Sequence, residues 1–379
     1  MKKLKYNNIL IGTALLVVCA CEQESRVAPS GNVIKIGVIA PFSGTDLDKG
    51  GEGLKGVETV MRLWPLLANG DSIQIVKKDD GNEPAKAVKA LQELAEVDQV
   101  AAIVTFSSSG PVLAMAGVAN RYKTPILATL ATHPDITRRS EYVSQVCFDD
   151  IFQGQVAAAY VRDELLLDTV AVFSNPDSIY SSNLAAEFKQ KFISLGGRIS
   201  DAVSLSAETK DYTAVLRPVA AKGPELLYLP LKAEDVIGII EAAAKLNWTP
   251  MMMAGDGILA TVMARHREQA DLLDGLLTTD FYHYTNKLTP FGEKVRHAYD
   301  GRATSFAILG AEGFAMLRDA MNRCSESASR ECINDKIRTT SNFTGVMGPI
   351  TIGSDGKAHR PLVINTIRKK RMVFMVKVY

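Results

Sequence analysis

Two α/β lobes of similar design, each a parallel sheet sandwiched by helices, are predicted from three features of the chain. Short apolar runs of strand length alternate with stretches whose apolar residues recur at helical spacing. The alternation restarts after Phe148-Asp149-Asp150. At 379 residues the chain also exceeds what one hydrophobic core ordinarily holds, and its 47% hydrophobic content supplies enough apolar surface for two.

The chain opens with Lys2, Lys3 and Lys5, an apolar run from Ile9 to Val18, and Val18-Cys19-Ala20-Cys21-Glu22. A basic segment, a short apolar segment and small residues before a cysteine resemble the lipobox of bacterial lipoproteins, with residues 1–20 as signal peptide and Cys21 as the lipidated first residue. A spanning helix is disfavoured because about 18 uninterrupted apolar residues are needed, and Gly12 and Thr13 lie inside this shorter run. Two acyl chains anchor durably where one holds only weakly. The expected location is therefore the periplasm or cell envelope, on a bacterial membrane. Cys21→Ser should move the protein to the soluble fraction with its folded part intact, and a mutant still in the membrane pellet would contradict the anchor.

Residues 21–32 are polar and contain Ser, Pro and Gly, as a tether does. Ile34 to Ala40 then reads as a buried strand, followed by a helix from Gly53 to Trp64 through Leu54, Val57, Val60, Met61 and Trp64. Ile73 to Val76, Val100 to Thr105 and Pro125 to Ala128 are further strands. Pro84 to Ala95 and Pro111 to Tyr122 are the helices between them.

The second series runs through a helix from Gln153 to Leu165, the strand Thr169 to Phe173, and a helix carrying Leu184, Phe188, Phe192 and Leu195 that Gly196-Gly197 ends. Tyr212 to Ala221 and Ala233 to Leu246 are helices; Leu226 to Leu229 and Met251 to Ala254 are strands. Thr304 to Asn322 is one amphipathic helix, and Val363 to Ile367 with Met372 to Val378 form a hairpin around the basic turn Arg368 to Arg371. These last pieces must complete the two lobes.

Without the leader the formal charge falls from +1 to about −2, which leaves no electrostatic footprint for nucleic acid. Export permits disulfides, and Cys324 and Cys332 bracket a polar segment where a local bridge would contribute about 2.5 kcal/mol. Cys147 is then left as a small buried hydrophobe. No CxxC pair or neighbouring histidine completes a metal-ligand set.

Ile36-Gly37-Val38-Ile39-Ala40-Pro41-Phe42-Ser43-Gly44, Asp79-Asp80, Ser107-Ser108-Ser109-Gly110 and Ala131-Thr132-His133-Pro134-Asp135-Ile136-Thr137 follow one another along the first half. Gln153-Gly154, Asp211-Tyr212, Gly255-Asp256-Gly257 and Met347-Gly348-Pro349-Ile350-Thr351 continue the series. In this order and spacing they resemble the periplasmic leucine/isoleucine/valine-binding proteins of ABC importers, over nearly the whole mature chain. The resemblance implies a type I periplasmic binding protein: two doubly wound lobes joined by three hinge crossings, near Phe148 to Asp150, Phe281 to Tyr284 and Val346 to Pro349. One lobe would comprise 33–149 plus 283–347 and the other 150–282 plus 348–379, the terminal hairpin included. It implies a monomer that captures a small amino acid or carboxylate by hinge closure and delivers it to permease subunits, with no cofactor.

The loop Ser107 to Gly110, between a strand and a helix, offers hydroxyls and unpaired N–H groups to a ligand carboxylate; the plain alternative is a serine capping the helix. The resemblance implies that Thr132 meets the ligand's α-carboxylate and α-amino group, that the backbone of Leu130 adds bonds, and that Asp256 pairs the ammonium. Tyr180 occupies the place of a tyrosine that closes over the ligand. For Asp256 an exposed turn, and for Tyr180 ordinary packing, are the alternatives.

Three departures bear on the ligand. Lys49 in the first loop and Lys232 in Leu229-Pro230-Leu231-Lys232-Ala233 replace aromatics, and a cysteine pair is absent, with Asn82 and Phe106 near those positions. A lysine in the cleft would attract an anion 4 Å away by about 4 kcal/mol at an effective dielectric near 20, before desolvation. The alternative is that both extend into solvent.

Enzyme chemistry finds no support. Gly50-Gly51-Glu52-Gly53 lacks nucleotide-loop spacing and reads as a cleft loop, and the five histidines show no HExxH spacing. No serine sits in a GxSxG elbow. Met251-Met252-Met253 reads as core. Two functions share this fold, the solute-binding component of an importer and a ligand-binding sensor or regulator, and the fold alone does not separate them.

Overall fold

The run Val33–Ala40 (β1) is buried on both faces from Ile36 onward, as a strand covered by helices above and below must be. In the computed structural model, which describes residues 27–379 apart from 207, 266, 270, 285, 286, 300, 301 and 325–327, β1 lies between Ser72–Asp79 (β2) and Ala102–Thr105 (β3). Ile126–Ala128 (β4) and Val143–Gln145 (β5) extend this sheet, all parallel, in the order β2-β1-β3-β4-β5. The leader and Cys21 lie outside the described residues. Among those described, no helix is long and apolar enough to cross a membrane.

Thr169–Ser174 (β6), Arg198–Ser204 (β7), Leu226–Leu229 (β8), Met251–Ala254 (β9) and Leu277–Asp280 (β10) repeat the same order as β7-β6-β8-β9-β10. Phe343–Thr344 (β11), Pro349–Ile352 (β12) and Ala358–His359 (β13) make a small antiparallel sheet. Leu362–Arg368 (β14) and Arg371–Val378 (β15) are the expected hairpin, added antiparallel to β10, so it completes the second sheet. Lys369 and Lys370 both take positive φ, 49° and 61°, the backbone a two-residue hairpin turn demands.

Ile350, Ile352 and Ala358 are buried in one cluster with Ile36, Val57 and Phe314, and Val363 of β14 joins the same cluster. One expectation is corrected. The first helix spans Leu47–Leu63, which places Gly50, Gly51 and Gly53 inside it and not in a cleft loop. Close packing explains Gly50, Gly53 and Gly56 but not Gly51, which has open space: a Cβ on Gly50 would overlap the Pro41 carbonyl, one on Gly53 would enter the Phe106 ring, and one on Gly56 would overlap the Ala307 carbonyl of the long helix Ser305–Asn322. The glycine-rich run is thus a helix contact surface.

The hinge strands are held from inside. Phe148 stacks on Phe281 at 4.1 Å, joining the first crossing to the second. Arg360 forms a buried ion pair with Glu312 at 2.8 Å, donates to the Val146 carbonyl at 3.2 Å and lies 5.5 Å over the Phe281 ring. Glu312 in turn accepts from the Val346 amide at 2.6 Å, so one ion pair ties together the segments at Val146, Phe281 and Val346. Cys324 and Cys332 are joined in a disulfide, and the buried Cys147 thiol donates to the Ala131 carbonyl at 3.0 Å.

Candidate functional site

In each sheet the strand order reverses beside the first strand, between β1 and β3 or between β6 and β8, and the crevice such a reversal opens lies at the carboxyl ends of the strands. The candidate residues all follow those ends. Lys49 comes after β1, Ser107 and Ser108 after β3, and Leu130 and Thr132 after β4; Tyr180 comes after β6, Lys232 after β8 and Asp256 after β9.

The serine loop divides its labour. Ser107 is buried and its hydroxyl donates to Asp80, a bond that supports the loop. Ser108 precedes the helix Ser109–Tyr122 without a side-chain capping bond, so the capping alternative fails. Its amide donates to Asn82 Oδ1 at 2.9 Å, and its Oγ accepts from Lys49 Nζ and Asn82 Nδ2, each at 3.1 Å. With both lone pairs occupied, the Ser108 hydroxyl has only its proton to offer. The Ser109 and Gly110 amides of the first helical turn have no intrahelical acceptor, and a Cβ on Gly110 would meet nothing within 4 Å. Hydroxyl, amides and helix dipole together form a seat for a carboxylate.

Across the crevice stands Asp256, whose Oδ1 accepts from Gln153 Nε2 and Tyr180 Oη, both at 2.9 Å. Burial raises its carboxyl above the ordinary value while those two donors and the charge of Lys49 oppose the shift. A carboxyl held this way gains by meeting a cation. Burial also lifts the Tyr180 phenol well above its usual range, so it serves as donor. Thr132 is buried beneath the seat, its carbonyl accepting from the Asp150 amide at 2.9 Å. The backbone of Leu130 enters no hydrogen bond among the described residues.

The charges of both lysines act on one carboxyl, that of Asp46. Lys49, in the first turn of its helix, lies 2.8 Å from Asp46. Burial pushes Asp46 up, but Lys49, Asn82 and Lys232 on the opposite lobe outweigh it and hold the carboxyl below its usual value. Lys232 itself is an exposed residue at the start of the helix Ala233–Lys245.

The periplasmic binding protein family model matches residues 33–371. The chain belongs to the periplasmic leucine/isoleucine/valine-binding protein family. Members are extracytoplasmic solute-binding proteins and not enzymes. An amino acid binding protein of Pseudomonas aeruginosa is 24% identical over 273 residues, 71% of this chain and 70% of its own. The crystal structure of a leucine binding protein from Thermotoga maritima superimposes with a TM-score of 0.84 at 28% identity, covering 91% of this chain and 98% of that one. A branched-chain amino acid transporter substrate binding protein of Streptococcus pneumoniae, in complex with isoleucine, gives 0.82 at 21% identity, covering 92% and 100%.

Around this candidate site the structure adds residues that sequence reasoning did not single out as ligand-site groups. Asp46 and Asn82 orient Ser108, and Gln153 ties Asp256 to Thr279 at 2.7 Å. Asp150 is fully buried under Thr132; burial pushes its carboxyl to about 8 although Thr132 and Asn183 work against the shift, and its Oδ1 has no partner. Asp280, equally buried, is pushed to about 7 against the pull of Ser305 and the Phe281 amide.

These two carboxyls keep their protons to higher pH in the folded protein than in the unfolded chain, where aspartate titrates near about 4. Their contribution to stability is complete below that value and is withdrawn as pH rises, toward 7 for Asp280 and 8 for Asp150. Asp150→Asn should flatten the decline in urea-measured stability between about pH 5 and 8. A slope equal to that of the wild type would contradict this origin.

Proposed function

We propose that this chain is the lipid-anchored solute-binding component of an ABC importer, and that it captures an α-amino acid or related small carboxylate by closing two lobes over it for delivery to permease subunits. The lobes in this reading are 33–149 with 283–360 and 150–282 with 361–379; the third crossing falls at Arg360-Pro361 because β12 and β13 pack on the first lobe.

One observation carries the ligand class. A seat of unspent donors, Ser108 Oγ–H and the Ser109 and Gly110 amides, faces Asp256, a carboxyl that lacks a cationic partner in contact among the described residues. An α-amino acid supplies a carboxylate and an ammonium on adjacent atoms, which complements both walls at once. The Pseudomonas aeruginosa and Thermotoga maritima relatives are amino-acid and leucine binders by name and support the same class. A thermal-shift screen of amino acids and small carboxylates, followed by calorimetry, tests it. At least one α-amino acid should stabilise the protein while its amine and its deaminated acid bind far more weakly; equal binding of the deaminated acid would remove Asp256 from the ligand site.

A further inference from the structure

Two of the places where this sequence departs from the leucine/isoleucine/valine pattern, Lys49 and Asn82, meet on a single atom of the carboxylate seat: Lys49 Nζ and Asn82 Nδ2 each lie 3.1 Å from Ser108 Oγ. The direction of both bonds is fixed. An ammonium can only donate, and the Asn82 amide cannot be turned round, because its Oδ1 accepts from the Ser108 amide at 2.9 Å while its Nδ2 also donates to Asp46 Oδ2 at 2.8 Å. Asn82 is held in that pose by its own backbone amide, which donates to Asp80 Oδ1 at 2.9 Å, and by a left-handed backbone at φ 62°.

Lys49 is anchored by Asp46 at 2.8 Å, with both side chains mostly covered. The first turn of a helix is an unfavourable place for a cation, since the helix dipole is positive there, so the helix itself gives no reason for a lysine at this position. What the lysine does there is hold Ser108. A hydroxyl oxygen has two lone pairs and one proton, and with both pairs taken Ser108 is a donor and nothing else. With one pair free, the same serine could accept from a ligand as well as donate to it.

We infer that Lys49 is a specificity-determining residue that acts through Ser108: by occupying its second lone pair, Lys49 makes the seat take a free carboxylate and reject the uncharged carboxamide of the same compound. This rests on the amino-acid reading proposed above, in which the Ser108 to Gly110 seat holds the α-carboxylate. A carboxamide carries an NH2 group where a carboxylate carries its second oxygen. The seat answers with the Ser108 hydroxyl and the Ser109 and Gly110 amides, all donors, so donor meets donor and both are left unpaired.

The test is calorimetric titration of the wild type and of Asp46→Asn/Lys49→Met with leucine, phenylalanine, serine, glutamate and arginine, each beside its α-carboxamide. The ion pair is replaced as a unit so that the crevice keeps its net charge and no carboxylate is stranded. The wild type should bind at least one of these amino acids about a hundredfold more tightly than its amide. In the double variant that ratio should fall to about tenfold or less, with the amide's affinity held or raised, whereas a site merely damaged weakens both partners and keeps the ratio. In a Ser108→Ala background the same replacement should change the ratio by less than about twofold, because no hydroxyl remains to be oriented. A wild type that binds acid and amide alike, a double variant that keeps the hundredfold ratio, or an effect of the same size in the Ser108→Ala background overturns the inference and leaves the amino-acid reading standing. Binding of none of these amino acids overturns both.

Discussion

Asp256→Asn weakens the amino-acid ligand by about 2–3 kcal/mol, a loss of roughly 30- to 150-fold, because a buried ammonium loses its charged acceptor. The substitution keeps the shape of the side chain, and an asparagine oxygen still accepts from Tyr180 and Gln153, which hold Asp256 at 2.9 Å each. Stability moves the other way. Burial raises the Asp256 carboxyl, so folding without ligand works against its ionisation, and a neutral amide removes that cost. Lost affinity in a protein at least as stable as the wild type separates a ligand contact from a structural one. Calorimetry showing unchanged affinity would mean that the ligand has no ammonium at Asp256.

Arg360→Met destabilises the protein by about 3–5 kcal/mol in urea denaturation, since it strands the Glu312 carboxylate in a site where its side chain has no exposure. The position makes the effect larger than a local one: Arg360 also binds the Val146 carbonyl and covers Phe281, so all three crossings lose a common support. The double variant Glu312→Gln/Arg360→Met should recover much of the loss, because no unpaired charge remains. A single variant within about 1 kcal/mol of the wild type would show that the pair contributes little.

Strands that declare themselves by continuous apolar residues were legible: β8 and β9 begin and end where the runs Leu226 to Leu229 and Met251 to Ala254 do. β10 was not, because Thr278, Thr279 and Asp280 are buried polar residues whose inward position depends on partners such as Gln153 and Ser305, far away in sequence. β5 hides for the same reason behind the buried Ser144 and Gln145, and β7 because it is an edge strand with mixed exposure. The start of the first helix was missed because glycine opposes helix formation in isolation, while here close contact with Phe106 and Ala307 demands it.

The site was legible in outline for a simple reason: residues just past the ends of alternating strands converge in this topology. Which hydroxyl stands in the crevice was not. Ser107 and Ser108 are neighbours, but one turns inward to Asp80 and the other stands in the crevice with Lys49 and Asn82. Asp46 escaped notice because its pairing with Lys49 appears only once the helix is known to start at Leu47.

Hinge closure over an amino acid is the central claim, and small-angle X-ray scattering of the protein with and without the amino acid that calorimetry selects addresses it most directly. Two lobes closing on a ligand reduce the radius of gyration in proportion to occupancy, and Asp256→Asn at the same ligand concentration shows correspondingly less contraction. Saturating ligand that leaves the scattering curve unchanged, with binding confirmed in the same sample, would contradict closure as the mode of capture.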